Sequence, residues 1–137
     1  MSTTLERLEQ RRTALYQRLQ DLGDFRPGMI SANFRKCGKK RCACARPGHP
    51  GHGPQYLWNT TRGGQSRAQN LRLGSELEKA RREIENHRVF LRLSRELVDV
   101  NEQICRLRPV VPIQNEKELE ALKKKLQRQF PGRPRRR

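Results

Sequence analysis

The sequence predicts a mainly α protein with a small β-hairpin: a helical, coiled-coil-like stem carrying a knuckle-and-ribbon module, then a C-terminal helix and a disordered basic tail. Three observations predict it. Two leucine-rich stripes of equal span flank the middle of the chain. The middle itself turns to Gly, Pro, Cys and His, and the last residues are almost purely basic.

The first stripe is Leu5, Leu8, Leu15, Leu19 and Leu22, at helical 3–4 spacing, with Arg12 at the missing seam position. Thr3 and Glu6 stand at capping-box spacing, and Gly23 offers a stop. The second stripe is Phe90, Leu93, Leu97, Val100, Ile104 and Leu107, on a helix expected from Ser75 to Leu107. Two equal stripes joined through an intervening module suggest an antiparallel coiled-coil pair, with an intermolecular coiled coil as the rival. Cys105 is expected to pack partly buried beside the second seam. Pro109 and Pro112 make an extended joint. A third helix follows Asn115, with Leu119, Leu122 and Leu126 on one face, and ends by Phe130. The expected organisation is therefore a stem over 1–108 with an insertion at 24–74, a linker and short helix over 109–130, and a disordered tail over 131–137.

Composition sets limits on function. The 137 residues hold 31 Lys and Arg against 14 Asp and Glu, a formal net charge of +17, with 33% hydrophobic and 5% aromatic residues. Mean hydropathy is −1.02. Ordinary domains are roughly 45–50% apolar, so a doubly wound α/β enzyme or a β-sandwich is disfavoured. No apolar run of about 18 residues is present and the N-terminus lacks a signal-peptide stretch, so a cytoplasmic location without a membrane partner is expected.

The charge is also segregated. From Phe25 to Ser75 there is no Asp or Glu, yet the stretch carries Arg26, Arg35, Lys36, Lys39, Lys40, Arg41, Arg46, Arg62, Arg67 and Arg72. A second cationic run holds Lys123, Lys124, Lys125, Arg128, Arg133, Arg135, Arg136 and Arg137. A polyanion is the first partner that such a distribution brings to mind.

Within the acid-free stretch, Cys37, Cys42 and Cys44 are followed by His49 and His52. Three soft thiolates and one imidazole nitrogen satisfy a tetrahedral Zn²⁺ without leaving a catalytic vacancy. Cys37, Cys42, Cys44 and His52 are the expected ligands, with His49 as the alternative fourth; another metal, or redox-active or free thiols, are the competing readings. After Pro54 comes a run of β-formers, then Gly63-Gly64, then Gln65 to Leu73, which reads as a hairpin. Alternation puts Tyr56, Trp58 and Thr60 on one face. Trp58 is expected to pack in a small core, and Tyr56 is a candidate for base stacking.

Gly23-Asp24-Phe25-Arg26-Pro27-Gly28, the C-x4-C-x-C knuckle, His52-Gly53-Pro54 and the Gly63-Gly64 turn resemble a family of small uncharacterised prokaryotic proteins. The resemblance runs over roughly residues 5–107. It implies a leading helix, a three-cysteine knuckle with Cys37, Cys42, Cys44 and His52 as a unit, and a following ribbon and helix. It also implies a loose association with mobile elements.

The expected function is a non-enzymatic nucleic-acid-binding accessory protein, whose zinc-stabilised basic tip contacts phosphates of RNA or DNA. It fits a subunit of a mobile-element or RNA-guided complex. The alternative is a coiled-coil scaffold that binds a protein partner, or itself, through the helices. An enzyme is not expected: the central module has no carboxylate for Mg²⁺, and a four-ligand zinc has no open position.

Overall fold

The computed structural model describes residues 2–133 and divides into two compact units, Met1–Arg106 and Leu107–Arg137. In the first unit the order is α1 (Thr4–Gln20), β1 (Met29–Arg35), a short 3₁₀ turn (Ala43–Ala45), β2 (His52–Arg62), β3 (Gln65–Leu71) and α2 (Ser75–Leu107). The second unit holds α3 (Glu116–Gln129).

The termini of α1 follow from local chemistry. Thr3 and Glu6 close a reciprocal capping box, the Glu6 amide donating to Thr3 Oγ1 at 3.1 Å and the Thr3 amide to Glu6 Oε2 at 3.0 Å. Asp21, not Gly23, is the C-cap, because its amide already returns to the Gln17 carbonyl at 3.0 Å.

The three strands form an antiparallel sheet in the order β1-β2-β3. The Gly63-Gly64 turn joins β2 to β3 as expected, but the sheet has three strands where the sequence suggested a hairpin. The missed strand, β1, pairs Ile30 with Trp58 and Ala32 with Tyr56 across β2. Its entry demands Gly28, at φ +106°, where a Cβ would lie 2.3 Å from the Asn59 carbonyl oxygen.

One sheet face is apolar. Leu71, Leu77 and Ala80 form a buried cluster against which Ile30, Tyr56 and Trp58 pack, so the first turns of α2 cover this face. Trp58 donates its indole N–H to the Pro27 carbonyl at 2.8 Å. Arg26 lies over the Trp58 ring at 4.5 Å and meets Glu83 at 2.7 Å.

The coiled-coil stem is not what forms. Of the four stripe leucines in α1 only Leu15 is buried; Leu93, Val100 and Ile104 surround it, while Leu5, Leu8 and Leu19 pack half-buried at the margin, and Leu22 lies beyond the helix end. The seam is interrupted where Arg12 hydrogen-bonds Asn101 Oδ1 at 3.2 Å. Phe90 stacks on Phe25 with ring centroids 4.8 Å apart instead of continuing the stripe. A short helix laid on a longer one over a single apolar patch is the result. Cys105 is exposed rather than partly buried. Among the described residues, no helix is long and apolar enough to cross a membrane.

Candidate metal centre

Arg35, the last residue of β1, stands opposite His52, the first of β2. Residues 36–51 therefore form a loop whose two ends are pinned by strand pairing. The loop folds through consecutive turns: the Cys42 amide reaches the Lys39 carbonyl at 3.2 Å, Ala45 reaches Cys42 at 3.0 Å, and His49 reaches Arg46 at 3.1 Å. Gly51 brings the chain back against β1. It sits at φ +107°, and a Cβ there would lie 2.7 Å from the Arg35 carbonyl carbon.

These turns gather four side chains. The ligand atoms of Cys37, Cys42, Cys44 and His52 all lie within 4.8 Å of one another. Cys37 Sγ is 3.5 Å from Cys44 Sγ, and Cys42 Sγ is 3.2 Å from His52 Nε2. A tetrahedral zinc with bonds of about 2.3 Å to sulfur and about 2.0 Å to nitrogen separates its ligand atoms by roughly 3.5–3.8 Å. The donor set and its spacing fit a metal ion. His49 does not belong to the group: its Nδ1 accepts the Gly51 amide at 3.0 Å and braces the turn.

The thiols are unequal. Cys37 is lowered to about 6, chiefly because the Lys39 backbone amide stabilises its thiolate, with further help from the His52 and Cys44 side chains. Cys44 is raised: the Cys37 amide favours its thiolate, but burial and the adjacent Cys37 and Cys42 sulfurs outweigh that contact. A metal cation is the group that lets all three ionise together.

Around the loop, Arg35, Lys36, Lys39, Lys40, Arg41 and Arg46 are all exposed. None forms an ion pair among the described residues, because the surrounding stretch contains no carboxylate. The other candidate contacts are placed elsewhere. Arg26 is committed to Glu83 and Trp58, and Tyr56 packs against the Leu71 cluster. Arg62 and Arg67 flank the hairpin turn; Arg62 is ten residue steps along β2 from His52, about 33 Å, and Arg67 pairs with Thr60, eight steps along. The basic tip expected from sequence is thus two basic regions at opposite ends of one sheet. Arg72 lies between β3 and α2, its carbonyl accepting the Leu77 amide at 3.1 Å.

In the second unit, Lys123, Lys124 and Lys125 are exposed on α3, whose Asn115 cap accepts from the Lys117 and Glu118 amides. Arg135, Arg136 and Arg137 lie outside the described residues. Sequence reasoning missed Arg82, Arg92 and Arg95, which are exposed on α2 and form no ion pair among the described residues. The near balance of charge over 76–108 hid them, since Glu78 and Glu85 are matched by Arg81 and Arg88.

Comparison with known proteins brings one match. A family model for a domain of unknown function, DUF6788, matches residues 5–82, which take in α1, the metal loop and the whole sheet. The match carries neither an activity nor a mobile-element association. No curated protein and no solved structure matches the chain. With more than half of its length matched, the chain belongs to the DUF6788 family.

Proposed function

We propose that this protein is a non-enzymatic nucleic-acid-binding protein whose Cys37, Cys42, Cys44 and His52 hold one structural Zn²⁺. The observation that carries the reading is the company the metal group keeps. Six exposed cations surround it with no acidic partner among the described residues. On an ordinary surface both signs are interspersed, so a single-sign surface on a small rigid loop calls for an anionic partner. Three thiolates and a neutral imidazole suit zinc over harder cations and close its coordination shell. The metal would supply order to the loop, and Lys36, Lys39, Lys40 and Arg41 would supply phosphate contacts. Such contacts are independent of base sequence. An accessory place in a mobile-element or RNA-guided complex rests on the resemblance of the turn and knuckle motifs alone.

The test has two readouts on nuclease-treated protein. Metal analysis should give about one zinc per chain, lost in Cys42→Ser and Cys44→Ser. Binding to single-stranded RNA, single-stranded DNA and duplex DNA across a salt series should show a steep slope. Reversing Lys39, Lys40 and Arg41 should lower that slope by about two to three units. Zinc retained in full by both cysteine variants would overturn the ligand set. Weak binding to all three nucleic acids near physiological salt would overturn the polyanion reading.

A further inference from the structure

At the hairpin end of the sheet, far from the metal loop, the structure leaves a cleft. Its walls come from β2 and β3: Trp58 opposite Gln69 and Thr60 opposite Arg67, with Arg62 beyond them and Ala68 between Arg67 and Gln69. The helix that covers the apolar sheet face packs against Ile30, Tyr56 and Trp58, and the rows beyond Trp58 stand outside that cluster; from α2 it is Arg88 that approaches them, sharing a recess with Thr60 and Arg67. Pro27, held by the Trp58 indole N–H at 2.8 Å, closes the remaining side. The cleft encloses about 440 Å³, within the roughly 300–1,000 Å³ of small-ligand sites.

Its chemistry is mixed in a particular way. Pro27, the Trp58 ring and the Thr60 methyl are apolar or aromatic, the Gln69 amide can donate and accept, and Arg62 and Arg67 stand at the rim. Both arginines are exposed and without an ion pair among the described residues. Inorganic phosphate has no use for an aromatic wall, and an apolar peptide has none for two guanidinium groups. A nucleotide uses both, its base along Pro27 and the part of the Trp58 ring that Arg26 and the Leu71 cluster leave facing the cleft, its phosphate on the arginines.

We propose that this cleft receives one nucleotide of a single-stranded nucleic acid, as a second contact beyond the metal loop. The inference rests on the nucleic-acid reading above and assigns it a strand type and a location. β2 separates this cleft from the metal loop by about 20 Å at Trp58 and about 33 Å at Arg62, so one flexible strand of several nucleotides can engage both. A duplex cannot insert a stacked base here without flipping it out.

Trp58 is the only tryptophan in the chain, so its emission reports events at this one residue. The zinc-loaded full chain is titrated with inorganic phosphate, thymidine monophosphate, an eight-residue oligothymidylate and a duplex. Labelled-strand anisotropy measures total binding in parallel. The oligothymidylate should change Trp58 emission saturably, phosphate and duplex should not, and the mononucleotide should act only at much higher concentration. Arg62→Ala with Arg67→Ala should weaken oligothymidylate binding about tenfold and lower its salt slope by about 1.4, with zinc content unchanged. Binding seen by anisotropy with Trp58 emission unmoved would overturn the cleft while leaving the nucleic-acid reading intact. An equal emission change with duplex, or tighter saturation by mononucleotide, would overturn the single-strand assignment. Absence of binding in anisotropy would overturn both.

Discussion

Leu15 is fully buried and holds α1 to α2 through Leu93, Val100 and Ile104. Leu15→Ala removes three carbons from a site with no other buried α1 side chain to compensate, and core Leu→Ala changes cost about 3 kcal/mol. The compact unit spans Met1–Arg106. An unfolding entropy of about 2.1 cal/mol/K per residue then converts that cost into a fall in Tm of about 13 °C. The metal loop should not notice. Leu93 lies thirteen residues beyond Ala80 on α2, about 20 Å along the helix, and Ala80 belongs to the separate cluster beneath the sheet. The assay is a helical circular-dichroism melt of the zinc-loaded protein, with metal content measured below the transition. A fall under about 4 °C would refute the claim that Leu15 is the main tie between the helices. Loss of zinc in the folded variant would refute the energetic separation of the two clusters.

Two further outcomes follow from the site and its support. His52→Ala should abolish stoichiometric zinc binding while His49→Ala retains it, because His52 Nε2 lies 3.2 Å from Cys42 Sγ whereas His49 Nδ1 accepts the Gly51 amide; metal analysis of both variants checks this, and the reverse pattern would exchange their roles. The Glu83 carboxyl is held below its usual range, first by the Lys79 hydrogen bond and then by the Arg26 charge, although burial opposes them. A lowered folded value gives stability that is present above the ordinary glutamate value of about 4.3 and is lost as pH falls through the folded value. Wild type should therefore exceed Glu83→Gln in Tm at neutral pH, and the gap should close as pH falls below about 4. A gap that stayed constant down to pH 3 would show that the ion pairs contribute nothing.

Legibility in the sequence followed the range of the interactions. The capping box, the α2 boundaries and the Gly63-Gly64 turn depend on neighbours within a few residues, and those residues announced them. The four candidate ligands were legible too, since thiols and imidazole clustered in an acid-free stretch have few other uses. What stayed hidden depended on distant partners. No local signal singled out Met29–Arg35, and only its pairing with β2 makes it a strand. Arg26 looks like one cation among ten until Glu83 and Trp58 claim it. The coiled-coil expectation failed for a similar reason. Matching stripes record which positions are apolar, but Arg12 bonding Asn101 and Phe90 stacking on Phe25 decide how far the seam continues. His52 rather than His49 joins the thiols, as the sequence suggested, and the Arg35–His52 pairing gives the physical reason by placing one imidazole on a strand and leaving the other in a turn.

The loop's own composition explains why a group able to hold a metal and a cationic surface occur together. Over residues 36–51 the buried positions are Cys44 and Gly51, so no apolar side chain is available to serve as a core. Ordering each residue costs on the order of 1–2 kcal/mol in backbone entropy, and the turn hydrogen bonds offset little of that in water. Strand pairing at Arg35 and His52 fixes the loop's ends but not its interior. Three thiolates converging on a divalent cation can fix the interior, because structural zinc binding is worth of order 10 kcal/mol and appears as folding free energy. The bound site would carry a formal charge of −1, which Lys36, Lys39, Lys40 and Arg41 more than neutralise. Those side chains then have no internal partner left to satisfy, and an external polyanion is the counterion that a metal-ordered loop of this composition leaves room for.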